Sequence, residues 1–466
     1  MGIRTAKQYR DGLRDGRRVI YRGATVNDVV SHSEFIPAID HSALCYEIVD
    51  YYPDMAVADD GDGSYSAFYK VPRSIEDLVA RGQLLETVSH MGAGTIVLKE
   101  VGSDALFALL RATEGVGRER ASAYYEHVRA NDLAVAVAQT DAKGNRSLAP
   151  SQQEDPDLYV RVVDEDESSI VVRGAKCHTS FSANADEIIV LPTRAMGAED
   201  ASWSVSFAIP VDTPGLSLYV SPYLSGKRNR FEFPVSSDRK LLESLTVFDD
   251  VVVPKERVFL DRRPEGAGPL ALAFVDYHRY TAINYKLPLV DMMVGAGHLV
   301  AEANGIIGAS HVRDKLTRLI AWAETVRGMS QLAAIRSEPT QDGIQQPEPL
   351  AVNMAKYAFA EGFHQATADL MDLAGGLLVT GPGGEDWEAD DVRSVLEKYY
   401  AAAVPAEERL RLLNFVSELT ARDYGGYQAV LATHAEGSLE AEKLQIQRSY
   451  DPEPAREYVR RLAHLT

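Results

Sequence analysis

The segment 276–286 reads "DYHRYTAINYK". On a helix His278, Ala282 and Tyr285 fall near one face, and Lys286 lies two turns beyond His278. An imidazole working beside an ammonium suits removal of a proton next to a carbonyl. The bland alternative is a structural histidine whose hydrogen bonds are satisfied in the core. A second acid–base candidate is Glu243, just ahead of the apolar run "SLTVFDDVVVP". Burial beside apolar strands raises a carboxyl pKa toward the range a general acid or base needs.

Two other stretches crowd donors together. In "QTDAKGNRS" (139–147), Lys143 and Arg146 flank a glycine turn whose backbone amides can face an anion. A pyrophosphate or a carboxylate fits that chemistry, and a plain interdomain linker is the alternative. In "RGAKCHTSFSANADE" (173–187), Thr179 and Ser180 follow Lys176 and His178 in one loop. These groups suit a ring edge or a substrate carbonyl, or else a hairpin turn satisfied by its own hydroxyls. "AGGLLVTGPGGEDW" (374–387) is glycine-rich after a helix, and a helix cap with its loop is the plain explanation. It is neither a Walker loop nor a dinucleotide fingerprint. No paired-histidine zinc motif is present.

The elements that must position these residues follow a simple order. Residues 1–140 read as mostly helical, with apolar residues at three- and four-residue spacing. Residues 141–268 hold short Val/Ile-rich alternating runs: "LYVRVVD", "SIVVRGAKC", "EIIVLPTRAM", "WSVSFAIPV", "LSLYVS" and "SLTVFDDVVVP". They predict a central β domain, a barrel or a sandwich. Residues 269–466 predict a helical bundle, with helices over 269–305, 308–335, 350–375, 389–402 and 405–434. The fold class is therefore α+β, with helices before and after a β domain, the order found in acyl-CoA dehydrogenase-like flavoproteins.

Composition narrows the function. The 466 residues carry a net charge of −20, which disfavours nucleic acid and anionic membranes as partners. No apolar run reaches the roughly 20 residues of a membrane span, and the N-terminus lacks the apolar core of a signal peptide. A cytoplasmic location is expected. Two cysteines, Cys45 and Cys177, exclude a disulfide framework and any cluster held by three or four cysteines.

Taken in order, "QTDAKGNRSLAPSQQEDPDLYVRVV", "IVVRGAKCHTS", "ADEIIVLPTRAM", "SVSFAIPVDTPG", "VFDDVVVPKERVFL", "YHR" and "AGGLLVTGP" resemble the 4-hydroxyphenylacetate 3-monooxygenase / 4-hydroxybutyryl-CoA dehydratase flavoprotein family. The resemblance covers nearly the whole chain and is nearer the dehydratase branch in wording. It implies an acyl-CoA dehydrogenase-like fold, a homotetramer or dimer, and FAD between the β domain and the helical bundle. The monooxygenase branch receives reduced flavin from a separate flavin reductase and hydroxylates through a C4a-hydroperoxyflavin. The dehydratase branch sets FAD beside a four-iron cluster held by three cysteines and the histidine of "YHR".

The chain keeps that histidine as His278. The three cysteine positions fall at Ile96, Glu100 and Tyr285, so an iron–sulfur dehydratase is not expected and no metal is expected. The substrate-binding arginine, tyrosine and histidine of the phenol hydroxylases fall near Val101, Ala105 and Val137. By resemblance, Gln139, Thr140, Lys143, Arg146, Thr179 and Ser180 hold FAD, with Gly375 and Gly376 contributing from the bundle, across a subunit boundary if the chain assembles. His278, Lys286, Glu243 and Tyr285 form the catalytic set. The leading expectation is a two-component monooxygenase using FADH2 on a small aromatic, amine or carrier-linked molecule. A cluster-free flavin-dependent dehydratase or isomerase, moving protons with His278 and Glu243, is the alternative. A catalytically dead scaffold is a third.

Overall fold

A computed structural model describes residues 2–61 and 63–465. Helices Ile75–Met91, Leu98–Ala112 and Gly115–Asn131 lead into a β layer of two sheets. The first sheet has six strands in the order Ala24–Val26, Val19–Tyr21, Leu216–Val220, Glu243–Pro254, Ser169–Ser180 and Arg161–Glu165. The second has four, in the order Val258–Asp261, Val205–Pro210, Glu187–Val190 and Val135–Ala138. Their inner faces share one apolar core, where Phe207 of one sheet meets Phe248 of the other edge-on at 5.8 Å.

The six alternating runs read from the sequence are all strands. Val135–Ala138, expected to end a helix, is also a strand and pairs in parallel with Glu187–Val190. Val135–Ala138 is an edge strand of its sheet yet is almost wholly buried, and four consecutive small or β-branched residues show no alternation there, a pattern that helical periodicity imitates.

Two long antiparallel strands, Ser169–Ser180 and Glu243–Pro254, carry the site. Glu243 sits opposite Ser180 and Ser244 opposite Thr179, and the register then slips before Thr246 meets Lys176. The slip falls where His178 adopts φ +54°, an extra residue that bends the strand end and re-aims Thr179 and Ser180.

The C-terminal helices form a bundle around a second apolar core. The helix expected over 269–305 is two helices, Pro264–Tyr285 and Leu287–Ala303, joined at Lys286. Pro288, the second residue of the second helix, lacks the N–H that a continuous helix would donate to the Asn284 carbonyl. Likewise 405–434 divides into Ala406–Thr420 and Asp423–His434. Two further helices, Leu439–Ser449 and Glu453–Leu462, close the chain. No helix among the described residues is long and apolar enough to cross a membrane.

Candidate active site

Buried Lys176 assembles the first half of the site. Its ammonium donates to the carbonyls of Gln139 and Leu191, each at 2.9 Å, and pairs with Asp141 Oδ1 at 2.8 Å. The Cys177 N–H donates to the Thr140 carbonyl at 2.7 Å. These bonds fasten Gln139–Asp141 to the strand end bearing Thr179 and Ser180, so segments forty residues apart in sequence become one surface. Lys143 (φ +66°) and Gly144 (φ +52°) then turn the chain. A Cβ on Gly144 would lie 2.5 Å from Leu158, so the turn requires glycine.

This surface has the features of an anion and ring-edge site. Neither Lys143 nor Arg146 forms an ion pair among the described residues. Burial first, then Arg146, push the Lys143 ammonium below its ordinary value, with Asp141 and Cys177 opposing. The Thr179 hydroxyl is buried with no hydrogen-bond partner among the described residues. Unpaired cations and an orphan hydroxyl beside an open strand end fit a flavin nucleotide.

Ser180 links this surface to Glu243. Its hydroxyl lies 2.9 and 3.0 Å from the two carboxyl oxygens, and the Tyr427 hydroxyl donates to Oε1 at 2.6 Å. Tyr427 stacks on Tyr223 at 4.6 Å. Glu243 retains partial exposure, although the groups packed round it enclose most of its carboxyl. Burial raises its pKa to about 7, opposed by the bonds from Tyr427 and Ser180.

The helix junction supplies the second half. Lys286 Nζ pairs with Glu436 Oε2 at 2.5 Å, and the Tyr285 hydroxyl donates to Glu436 Oε1 at 2.6 Å. Lys356 approaches the same carboxylate at 3.9 Å. Glu436 reaches inward because it sits at φ +57° in the turn after Asp423–His434, and its carbonyl accepts from Arg279 Nε at 2.8 Å. The two partners of the Lys286–Glu436 pair move in opposite senses relative to pairing. Burial opposes the Glu436 charge, but Lys286, Lys356 and His278 outweigh it and hold the group at about 2. Burial lowers Lys286 to about 8, because its one carboxylate is shared with Lys356. Glu436 is thus ionised, and Lys286 is a cation with a loosened proton at neutral pH.

His278 meets Asp104 through Nδ1 at 3.0 Å and stacks on Phe274 at 4.9 Å. Burial drives the Tyr285 hydroxyl well above its ordinary value, with Glu436, Glu100 and Glu243 adding to it. Gly375 and Gly376 stand apart. They are exposed at the end of Pro349–Ala374 and touch none of these residues within one chain. Val101, Ala105 and Val137 offer only apolar surface.

Sequence reasoning missed Glu436, Tyr427, Asp104 and Lys176 as structural partners of the site. Lys176 was visible as a donor; the others lie 150 or more positions from the candidate site residues they touch, as with Asp104 and His278 at a separation of 174.

The positions matching the cluster cysteines do not suit iron. Ile96 offers no donor atom. Burial pushes Glu100 well above the usual carboxylate range, and its Oε2 accepts the Val97 N–H at 2.8 Å. The Tyr285 hydroxyl is committed to Glu436. Among the described residues no group of three His, Cys, Asp or Glu is arranged for a metal ion.

A two-sheet layer between helical regions, with a cationic turn at its edge and a set of buried polar side chains beside it, defines an acyl-CoA dehydrogenase-like protein. Residues 5–260 match the family model "4-hydroxyphenylacetate 3-hydroxylase N terminal" and residues 267–464 its C-terminal counterpart. The chain belongs to the 4-hydroxyphenylacetate 3-hydroxylase family. It is 31% identical over 490 residues to the 4-hydroxybutyryl-CoA dehydratase/vinylacetyl-CoA-Delta-isomerase of Clostridium aminobutyricum, covering 99% of this chain and 100% of that one. It is 26% identical to the 4-hydroxyphenylacetate 3-monooxygenase oxygenase component of Thermus thermophilus, covering 98% and 96%. Among solved structures, an oxygen-tolerant archaeal 4-hydroxybutyryl-CoA dehydratase from N. maritimus superimposes with a TM-score of 0.93 at 27% identity, covering 100% and 96%. The oxygenase component of 4-hydroxyphenylacetate 3-monooxygenase complexed with FAD gives 0.92 at 26%, covering 98% of each chain.

Proposed function

We propose that this protein is the oxygenase component of a two-component flavin monooxygenase. It takes FADH2 from a separate flavin reductase and hydroxylates a small aromatic, amine or carrier-linked substrate. The observation that carries the reading is the Ser180–Glu243 bond, which sets a carboxyl group near pKa 7 beside the flavin-binding surface, while Ile96, Glu100 and Tyr285 leave no seat for a cluster. FAD bound to a relative of nearly equal length supports it.

Lys143 and Arg146 would hold the pyrophosphate, and Gln139, Thr140, Thr179 and Ser180 the ring and its linker. Gly375 and Gly376 would serve a neighbouring subunit in a homotetramer or dimer. When bound, reduced FAD supplies two electrons to dioxygen, so that one oxygen atom enters the substrate and the other leaves as water. Glu243 holds or releases a proton between Ser180 and Tyr427. His278 presents its ring to the substrate as general acid or base. Lys286, kept in place by Glu436 and Tyr285, offers positive charge to an oxygen that becomes anionic. The apolar residues at Val101, Ala105 and Val137 exclude the polar anchoring of a simple phenol, so the substrate is gripped elsewhere, at its handle or through Lys286.

The test is oxygen uptake with FADH2 supplied by a generic reductase across a panel of phenols, amines and pantetheine thioesters. Substrate-dependent uptake with a product heavier by one oxygen supports the reading. A second reading, a cluster-free proton-transferring isomerase or dehydratase, is favoured by the 31% identity to a dehydratase/isomerase together with the Glu243 carboxyl near 7. It requires turnover with oxidised FAD under nitrogen.

A further inference from the structure

Asp104 is a fully buried carboxylate whose two oxygens do different work. Oδ1 accepts from Arg81 Nη2 and from the Thr281 hydroxyl, each at 2.7 Å. Those two bonds already tie Leu98–Ala112 to Ile75–Met91 and Pro264–Tyr285. Oδ2 is left for His278 Nδ1 alone, at 3.0 Å. A carboxylate paired with a guanidinium only accepts hydrogen bonds, so the hydrogen in this contact belongs to His278 Nδ1. Phe274 stacks flat on the ring with an interplanar angle of 16°, which fixes the plane of the imidazole, and in that plane it is Nδ1 that lies 3.0 Å from Oδ2. Nε2 has no hydrogen-bond partner among the described residues. The side chain keeps 15% exposure, and His278 is near enough to Glu436 to hold down that carboxyl. Nε2 is therefore the nitrogen left without a protein partner among the described residues.

We propose that Asp104 is the positioning residue that fixes the His278 tautomer, proton on Nδ1 and lone pair on Nε2, so that His278 begins each turnover as a proton acceptor. A neutral imidazole has one donor and one acceptor nitrogen, and the partner of one decides the role of the other. The assignment goes beyond the catalytic set, because Asp104 touches neither substrate nor flavin. Its catalytic consequence rests on the reading of His278 as the group that moves a proton. The tautomer itself does not.

The experiment uses full-length protein with its histidines labelled with ¹⁵N, and the His278 signals are assigned by their loss in His278→Gln. The wild-type protein at a pH where His278 is neutral is expected to show a protonated Nδ1 and a bare Nε2. In Asp104→Asn the amide oxygen stays with the two donors, Arg81 and Thr281, and the amide nitrogen turns to His278. Nδ1 must then accept, and the tautomer inverts to Nε2–H. Thr281→Val, which disturbs only the Oδ1 side, is expected to lower stability and leave the tautomer unchanged. In turnover, Asp104→Asn lowers kcat about 10²-fold or more with KM little changed. A wild-type His278 carrying its proton on Nε2 overturns the proposal even if Asp104→Asn fails to fold, and so does an uninverted tautomer in that variant. An inverted tautomer with unchanged kcat would leave the positioning intact and remove His278 from the proton-moving role instead.

Discussion

Glu243 answers two conflicting demands. A carboxyl group near pKa 7 is matched to proton transfer at neutral pH, and the same burial makes its ionised form costly to the fold. Because the folded-state pKa is raised from 4.5, the folded protein binds the proton more tightly than the unfolded chain, and stability is lost as pH rises from about 4.5 through about 7. Glu243→Gln is therefore expected to unfold at a higher temperature than wild type at pH 8, by about 2 kcal/mol after allowance for partial exposure. The difference should shrink toward zero below pH 4.5, and calorimetry at both pH values checks it. The same variant is expected to lower kcat by about 10²- to 10⁴-fold. Unequal burial is what the sequence does not encode here. Glu243, Asp249 and Asp250 all border or interrupt one apolar strand, yet Asp249 and Asp250 are exposed and only Glu243 lies between Ser180 and Tyr427.

At the scale of elements, the break at Lys286 matters most. A continuous helix would carry Lys286 round the cylinder from His278. The junction ahead of Pro288 instead sets Lys286 as the last cap of one helix and the first of the next, facing the Glu436 turn. Pro288 was a legible signal for this break, since proline is at home in the first turn of a helix and has no N–H to continue one. Glu436 was not legible, because its role depends on a turn 150 residues from Lys286. Gly437 makes that turn possible: it adopts φ +118°, and a Cβ there would lie 2.4 Å from Arg279 Nη2. Gly437→Ala is expected to shift Glu436 out of reach of Lys286 and to reduce kcat/KM at least tenfold, measured by steady-state kinetics alongside an intact far-ultraviolet spectrum. Glu436→Gln leaves the Lys286 ammonium buried without its carboxylate and is expected to cost about 3–5 kcal/mol, measured by denaturant unfolding at pH 7. Glu436 has its folded pKa lowered to about 2 from 4.5, so its contribution is present above 4.5 and lost as pH falls toward 2. The penalty of Glu436→Gln should fade over the same window.

The whole molecule was the most legible scale. Periodicity alone set helices before and after a β layer, and six of its strands were readable from Val/Ile-rich runs bounded by turn residues, several of them alternating. Val135–Ala138 was not, since a strand buried on both faces shows no alternation. The strands Val19–Tyr21 and Ala24–Val26 are too short to carry a period. Net charge gives a further expectation at this scale. In a chain of −20, an anionic cofactor is held by few cations, so Lys143→Gln and Arg146→Gln are each expected to weaken FAD binding about 10- to 100-fold, read by flavin fluorescence quenching. The most direct test of the account as an oxygenase is to mix the protein and reduced FAD, prepared without oxygen, with oxygenated buffer in a stopped-flow spectrometer. The account predicts an absorbance transient distinct from reduced and oxidised flavin, outlasting that of free FADH2 and collapsing faster when a true substrate is present. Reoxidation of bound flavin in one phase, no slower than free FADH2 and with no transient, would contradict it and leave the proton-transferring lyase as the better description.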